Sequence, residues 1–210
     1  MPPKGLFIVL EGPDKSGKST QAVLLVRALR RRGLAVLHTR EPGGTAMAES
    51  IRKILLDPRL RILPLTELFL YEASRVQHTA QKVRPALARG EIVVSERYTL
   101  ASLAYQSYGR GIPLRTVRTL NRVATEGLSP DLTLVLDVAE EIFKERMRGK
   151  SHDRLEKEPP SFRDRVRRGY FALLKKEPRV AFIDAAGAIR KVHSRILKKL
   201  NPLLSNHRTI

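Results

Sequence analysis

Short apolar runs alternate with amphipathic stretches from one end of the chain to the other. The apolar runs have the length of buried strands, and the amphipathic stretches repeat apolar residues at helical spacing. Strands that alternate with helices predict an α/β fold in which helices cover both faces of a parallel sheet. The five predicted strands are Leu6–Glu11, Ala35–Thr39, Ile92–Ser95, Leu132–Asp137 and Val180–Ile183.

Helices are predicted where apolar residues fall on one face between capping and breaking residues. Gly33 ends the first of them, and Pro85 is expected to break the third. A charged stretch at about 146–160 interrupts the pattern, and we interpret it as a short flexible lid within a single domain spanning residues 1–210. The predicted helices are Lys18–Arg32, Thr45–Leu56, Leu65–Arg89, Leu100–Tyr105, Leu114–Glu126, one starting at Ala139, one from Pro160 toward Lys176, and Ile189–Leu200.

The composition excludes several classes of protein. The chain has 210 residues and no cysteine, which excludes a disulfide scaffold, a thiolate metal site and a cysteine nucleophile. Every apolar run is too short to span a bilayer, and the N-terminal residues do not have the pattern of a secretory signal. We therefore expect a cytoplasmic protein with no membrane partner.

The charge balance is strongly basic. Lys and Arg number 40 against 21 Asp and Glu, giving a formal net charge of +19. Nucleic-acid binding, phosphorylated substrates and a generally basic background are three competing explanations. Aromatic residues make up only 5% of the chain, Trp is absent, and the basic residues are scattered. This pattern argues against a nucleic-acid partner, because stacking readers of nucleic acids need exposed aromatic side chains.

The segment from Gly12 to Ser19 fits the phosphate-loop pattern G-x-x-x-x-G-K-(S/T), directly after a predicted strand and at the start of a helix. Backbone N–H groups of such a loop point at phosphate oxygens, and the helix adds its positive N-terminal end. Lys18 is expected to bridge the terminal phosphates, and the Ser19 hydroxyl to hold Mg²⁺. The expected ATP-binding residues are Gly12, Pro13, Asp14, Lys15, Ser16, Gly17, Lys18, Ser19 and Thr20.

Other residues narrow the class of phosphate-loop protein. The guanine-reading motif N-K-x-D of GTPases is absent from the sequence. Glu96 and Arg97 follow the third strand, and one acid next to one arginine suits a site that holds Mg²⁺ beside an acceptor phosphate. Arg40 follows the second strand, and ligands of open parallel sheets bind outside the carboxyl ends of the strands.

A series of short motifs matches, in order and spacing, the motifs of a known protein family over essentially the whole chain. They are Arg40-Glu-Pro-Gly-Gly-Thr45, the pair Tyr71 and Arg75, Glu96-Arg97-Tyr98, Ala104-Tyr105-Gln106, and Asp153-Arg-Leu-Glu156. With the phosphate loop, this set resembles the thymidylate kinase family. The resemblance implies a three-layer P-loop kinase fold, phosphorylation of dTMP to dTDP by ATP and Mg²⁺, and a homodimer.

The resemblance also implies residue roles. Arg97 would grip the acceptor phosphate, Arg75 would bind the thymine edge, and Tyr71 would stack on the base where relatives have Phe. The implied acceptor-binding residues are Asp14 at the 3′-hydroxyl, Tyr105 at the 2′ position, Ser102 and Gln106 at the base, and Arg40, Pro42, Tyr71, Arg75 and Arg97. Glu96 replaces the usual Asp as the expected second metal ligand beside Ser19.

The cation that completes the transition state has two candidate locations. Lys15 occupies a loop position where some relatives have a catalytic Arg, whereas the lid offers Arg146, Arg148 and Arg154, of which we favour the last two. A guanidinium can make a two-pronged contact that an ammonium cannot, so a lid arginine is expected to matter more than Lys15. The expected catalytic set is therefore Lys18, Arg97, Arg148, Arg154 and Lys15.

Two alternative functions remain open from the sequence. One is a kinase for another nucleoside monophosphate or for a deoxynucleoside. The other, prompted by the net charge of +19, is a nucleic-acid-dependent P-loop ATPase, whose turnover would rise with DNA or RNA and whose binding would weaken steeply with salt.

Overall fold

The computed structural model of the protein describes residues 5–147, 153–177 and 179–207. Within these ranges the strands form one fully parallel sheet in the order β2-β3-β1-β4-β5, flanked by helices. The predicted α/β architecture is confirmed, and each strand lies within one residue of its predicted bounds. The strands are β1 (Leu6–Glu11), β2 (Val36–Arg40), β3 (Ile92–Glu96), β4 (Leu132–Asp137) and β5 (Val180–Asp184).

The helices connect these strands on both faces of the sheet. None of the described helices is both long and apolar enough to cross a membrane. Two stretches, Thr79–Val83 and Leu103–Gly109, are π-helical. The α-helices are α1 (Lys18–Arg31), α2 (Ala46–Leu56), α3 (Pro64–His78), α4 (Arg84–Ala88), α5 (Thr99–Ser102), α6 (Leu114–Thr125), α7 (Glu140–Met147), α8 (Pro160–Leu174) and α9 (Ile189–His207).

The expected break at Pro85 is wrong, because the chain stays helical from α3 into α4. In the π-helical turn that joins them, the Arg84 N–H donates to the carbonyl of Thr79, five residues back. Pro85 then falls in the first turn of α4, where a missing N–H is tolerated. The wide turn thus absorbs the proline without ending the helix.

Two other helices extend beyond their predicted ends. The helix after β3 does not stop at Tyr105 but continues as a π-helix to Gly109. The last helix does not stop at Leu200 but runs through Pro202 to His207. Leu200 and Leu204 are both buried in the core, and this packing keeps the chain helical across the proline.

Strand β1 is the centre of the sheet and is buried along its whole length. Its residues Leu6, Ile8 and Leu10 pack into the larger core with α1 and α9, whereas Phe7 and Val9 pack on the opposite face. Because β3 and β4 flank β1, the loops that follow these three strands meet at one edge of the sheet. That edge is where a ligand crevice is expected in an open parallel sheet.

Candidate active site

The loop after β1 passes so close to β4 that only glycine fits at its first position. Gly12 has φ 129°, and a Cβ there would lie 2.0 Å from the carbonyl oxygen of Leu136. Lys15 has φ 58°, in the left-handed region that few residues other than glycine adopt. The loop therefore wraps tightly into α1, as a phosphate-binding loop must.

Lys18 is buried at the start of α1 and its ammonium group points back into the loop. Its Nζ atom donates to the carbonyl oxygens of Gly12 at 3.0 Å and Pro13 at 2.6 Å. Burial, and next the positive charge of Arg97, lower the pKa of Lys18 to about 7. The two carbonyl oxygens thus stabilise the charged form of Lys18 only in part, and a bound anion would stabilise it further.

The two expected metal ligands lie together at the mouth of the loop. The Ser19 hydroxyl donates to Glu96 Oε2, and His38 Nε2 lies 3.1 Å from Glu96 Oε1. Burial alone would raise the pKa of Glu96, but hydrogen bonds from His38 and Ser19 hold it below its usual value. An ionised carboxylate and a hydroxyl are oxygen donors of the kind Mg²⁺ prefers, so this pair fits the ion.

Within the described residues, no three His, Asp or Glu side chains cluster into a complete metal site. In nucleotide sites, phosphate oxygens and water supply most of the ligands of Mg²⁺. Sequence reasoning missed His38, although it lies on β2 next to β3, two residues before Arg40. A polar residue within the predicted second strand was the available signal.

Arg97 organises the acceptor side of the cleft, and it holds a left-handed backbone conformation with φ 68°. Its guanidinium donates to Asp14, to Tyr105 Oη at 3.2 Å and to the Gly12 carbonyl at 3.1 Å. Tyr105 Oη also donates to Asp14 Oδ2 at 3.0 Å. Strained conformations of this kind concentrate at functional sites. The structure thus brings Asp14, Arg97 and Tyr105 together as the motifs predict.

A buried carboxylate beneath this triad was missed by sequence reasoning. Glu11, the last residue of β1, accepts hydrogen bonds from the backbone N–H groups of Tyr98 at 2.8 Å and Ala101 at 3.0 Å. Tyr170 Oη donates to its second oxygen at 2.9 Å and lies 3.3 Å from Arg97 Nη1. Burial raises the pKa of Glu11 despite the Arg97 charge. An acid at the end of an apolar strand was the signal in the sequence.

Arg75 lies in the interior with only 1% of its surface exposed. It is surrounded by acceptors, among them two carboxylates from the residues after β2 and from α3 itself. Its donors contact Glu41 Oε2 at 2.8 Å, Glu72 Oε1 at 2.6 Å, Asn121 Oδ1 at 2.8 Å, Ser102 Oγ at 3.0 Å and the Tyr98 carbonyl at 3.2 Å. A contact between Arg75 and a base stays a prediction, and so does the one for Ser102.

The described part of the lid packs against the body of the protein. Glu156 pairs with Lys15 of the loop at 2.6 Å, and Leu155 is buried. Arg154 Nη2 lies 2.6 Å from Glu67 Oε2, and its Nε donates to the Leu55 carbonyl at 2.8 Å. Arg148, the other expected lid cation, lies outside the described residues. Both catalytic assignments to the lid stay predictions.

A cleft of about 630 Å³ opens between the phosphate loop, the ends of β2 and β3, the lid and the loop after β5. Arg40 and Thr20 line it, together with most of the phosphate loop. Pro42 is buried at its edge, where its carbonyl accepts from Arg52 at 3.0 Å. Tyr71 is partly buried in the core behind it, and Gln106 donates to Glu67 at 3.0 Å.

The chain is similar to proteins of one kind by sequence and by structure. A family model described as thymidylate kinase matches residues 10–196. A thymidylate kinase from Pelotomaculum thermopropionicum is 48% identical over 205 residues, covering 96% of this chain and 95% of the relative. One from Synechococcus sp. is 47% identical, covering 95% and 97%. The crystal structure of thymidylate kinase from Ehrlichia chaffeensis superposes with TM-score 0.78 at 31% identity, covering 94% and 100%.

Proposed function

Because the chain belongs to the thymidylate kinase family, we infer that it transfers the γ-phosphoryl group of ATP to dTMP. The strongest support is that Arg97 lines the same cleft as the phosphate loop and donates to the Gly12 carbonyl of that loop. A donor site and an acceptor-phosphate site are thereby adjacent. In the reaction, a phosphate oxygen of dTMP bonds to the γ-phosphorus, the bond to the bridging oxygen breaks, and dTDP and ADP form.

The acceptor needs no general base. It is a phosphate monoester with a second pKa near 6, so at neutral pH it is mostly a dianion. The obstacle is the repulsion between this dianion and the phosphates of ATP, and catalysis therefore depends on positioning and charge neutralisation. Lys18 supplies charge on the donor side of the cleft, and Arg97 supplies it on the acceptor side.

Ser19 and Glu96, whose side chains contact each other at the mouth of the loop, would hold Mg²⁺. When bound, the ion neutralises phosphate charge and aligns the donor. Glu96 is one methylene longer than the usual Asp, and the contact with His38 fixes where its carboxylate lies. Ser19 and His38 thus keep the Glu96 carboxylate at the mouth of the phosphate loop.

A panel of acceptors tests the proposal. The coupled assay compares dTMP, dUMP, dCMP, UMP and thymidine as acceptors with ATP and Mg²⁺. We expect dTMP to have the highest kcat/KM. A preference for another monophosphate or for thymidine would replace the acceptor assigned here. ATP turnover that needs DNA or RNA instead of an acceptor would identify a nucleic-acid-dependent ATPase.

Lys18→Met should abolish phosphoryl transfer, because it removes the cation that faces the phosphates. We expect kcat to fall by far more than tenfold, while circular dichroism and the melting temperature show a folded protein. Lys53→Met, which removes an exposed lysine of α2, is the matched control and should keep full activity. Retention of more than about a tenth of kcat, or roughly 1.4 kcal/mol of barrier, would contradict the central role of Lys18.

We also propose that the protein acts as a homodimer through the outer face of α2 and α3. Leu65, Phe69 and Val76 are each about half exposed and fall on one side of α3, since their spacing is four and seven residues. Met47 and Ile54, seven residues apart on the adjoining α2, are also exposed. An apolar face of this kind is typical of a subunit interface.

A cytoplasmic location stays a prediction.

A further inference from the structure

Glu67 is a fully buried carboxylate that the chemistry of phosphoryl transfer does not use. It lies in the first turn of α3 with no exposed surface. Buried carboxylates persist only when they are paired and hydrogen-bonded. The partners of Glu67 therefore indicate what the residue is there to hold.

The partners come from two segments that are distant from α3 in the sequence. Gln106 of the π-helical segment donates to Oε1 at 3.0 Å. Arg110 donates to both oxygens, at 3.0 and 2.9 Å. Arg154, in the lid, lies 2.6 Å from Oε2. Glu67 is thus the point where the lid meets the acceptor side of the protein.

The sequence spacing continues the acceptor site toward this cluster. Glu67, Tyr71 and Arg75 are four residues apart along α3, so they lie on one face of the helix. Tyr71 is the residue assigned to stack on the base, and Gln106 is assigned to face it. A base bound there would therefore contact two neighbours of Glu67, namely Tyr71 on the same face of α3 and Gln106, which donates to Glu67.

The lid contacts the end of α2 as well as this cluster. The Arg154 N–H donates to the Leu56 carbonyl at 3.2 Å, and its Nε donates to the Leu55 carbonyl at 2.8 Å. Arg110 also pairs with Glu158 of the lid at 2.6 Å. Two arginines and two glutamates make this cluster neutral.

Glu67 stays ionised in this setting. Burial alone would raise the pKa of Glu67, but hydrogen bonds from Arg110 and Gln106, with the charges of Arg110 and Arg154, hold it below its usual value. Removing its charge would leave two partly buried guanidinium groups with one counter-charge fewer. The position of the lid should then change.

We propose that Glu67 is a positioning residue that couples occupation of the acceptor-base site to closure of the lid over ATP. This inference rests on the proposed function, because it takes the acceptor site and the ATP site as assigned above. Arg154 then acts through Glu67 to place the lid, and its guanidinium does not itself neutralise the transferring phosphoryl group. Acceptor and nucleotide should consequently tighten each other's binding by the same factor.

The test measures binding of the β,γ-imido analogue of ATP, with Mg²⁺, by calorimetry in the presence and absence of dTMP. In the unaltered protein we expect dTMP to lower the Kd of the analogue by about fivefold or more. In Glu67→Gln this factor should fall toward one, and KM for ATP should rise more than kcat falls. Glu177→Gln, in an exposed ion pair with Arg118, is the matched control and should keep the full factor.

Arg154→Gln provides a second, milder variant, because Glu67 keeps Arg110 as its counter-charge. It should lose the coupling to the same extent as Glu67→Gln, and the double variant should be no worse than either. If Arg154→Gln lowers kcat at saturating substrates and its effect adds to that of Glu67→Gln, Arg154 acts on the phosphates and the proposal is overturned.

Two further outcomes separate this inference from the proposed function. If the unaltered protein does not phosphorylate dTMP, the proposed function itself fails, and the inference with it. If it phosphorylates dTMP but dTMP leaves the Kd of the analogue unchanged, or if Glu67→Gln keeps the factor, only the coupling role of Glu67 is wrong.

Discussion

Buried glutamates give the acceptor side of the site its shape. Glu11, Glu41, Glu67 and Glu72 all lie in the interior. Burial raises the pKa of both Glu11 and Glu72, in spite of the arginine charges beside them. These acids hold the backbone after β3, Arg75 and the lid in place, so the side chains assigned to the acceptor are supported by a second set of polar residues.

Arg75→Ala should strongly destabilise the fold, whatever its effect on the acceptor. The change leaves Glu41 and Glu72 buried without their counter-charge, and breaking a buried pair in this way costs about 3–5 kcal/mol. Denaturation in urea measures the change in the free energy of unfolding. Arg118→Ala, in an exposed pair, is the control and should cost about 1 kcal/mol or less. A loss for Arg75→Ala as small as that of the control would contradict this account.

At the scale of elements, the sequence predicted the strands well and the helix ends less well. The strands are apolar runs between turn residues, so their bounds follow from the pattern of residues along the sequence. The π-helical turns at Thr79–Val83 and Leu103–Gly109 depend on which hydrogen bonds tertiary packing favours. Sequence periodicity carries no signal for that choice, and the break assigned to Pro85 is wrong for this reason.

The site was predictable to the extent that single motifs define it. The phosphate loop, Arg97, Tyr105 and Asp14 lie where their motifs place them. Glu67 was not predicted, because its role follows from contacts with segments about 40 and 90 residues away. Its only signal was a polar residue on the buried face of α3, in line with Tyr71.

Gly169→Ala tests how closely α8 packs on the second π-helical segment. A Cβ at Gly169 would lie 2.8 Å from Tyr108 Cβ, an atom that no side-chain rotation can move. Alanine gains roughly 1 kcal/mol of helix propensity over glycine, but overpacking costs about 1–3 kcal/mol. We therefore expect a net loss of stability.

Urea denaturation measures that loss, and the acceptor assay reports whether Tyr170, the next residue, moves away from Arg97 and Glu11. Ser161→Ala, at an exposed position of the same helix, is the control and should leave both properties unchanged. A Gly169→Ala protein that is more stable than the original would show that α8 can shift to admit the methyl group.

For the whole molecule, the proposed dimer and the net charge of +19 have to be compatible. Like charges on two subunits repel, and the repulsion weakens with salt because the Debye length is about 8 Å at physiological ionic strength. In the proposed dimer, the faces of α2 and α3 would present apolar side chains to the partner, so burial of apolar area can outweigh this repulsion. The dimer should therefore be favoured by salt.

Phe69→Asp should convert the dimer to a monomer, because it buries a charge without a partner at the centre of the apolar face of α3. Light scattering coupled to size-exclusion chromatography, at several concentrations, measures the molar mass. Val23→Asp changes a partly exposed apolar residue of α1, away from this face, and should leave the mass of a dimer. A Phe69→Asp protein with an unaltered mass would place the subunit contact elsewhere.

The central place of β1 has a consequence for how the chain is made. β1 leaves the ribosome first, yet its neighbours in the sheet are β3, where Ile92 lies beside Leu6, and β4, where Leu132 lies beside Ile8. Until those strands emerge, β1 has no partner in the sheet, and unpaired apolar strands are prone to aggregate. The sheet around β1, and with it the phosphate loop, can therefore close only when synthesis has passed β4.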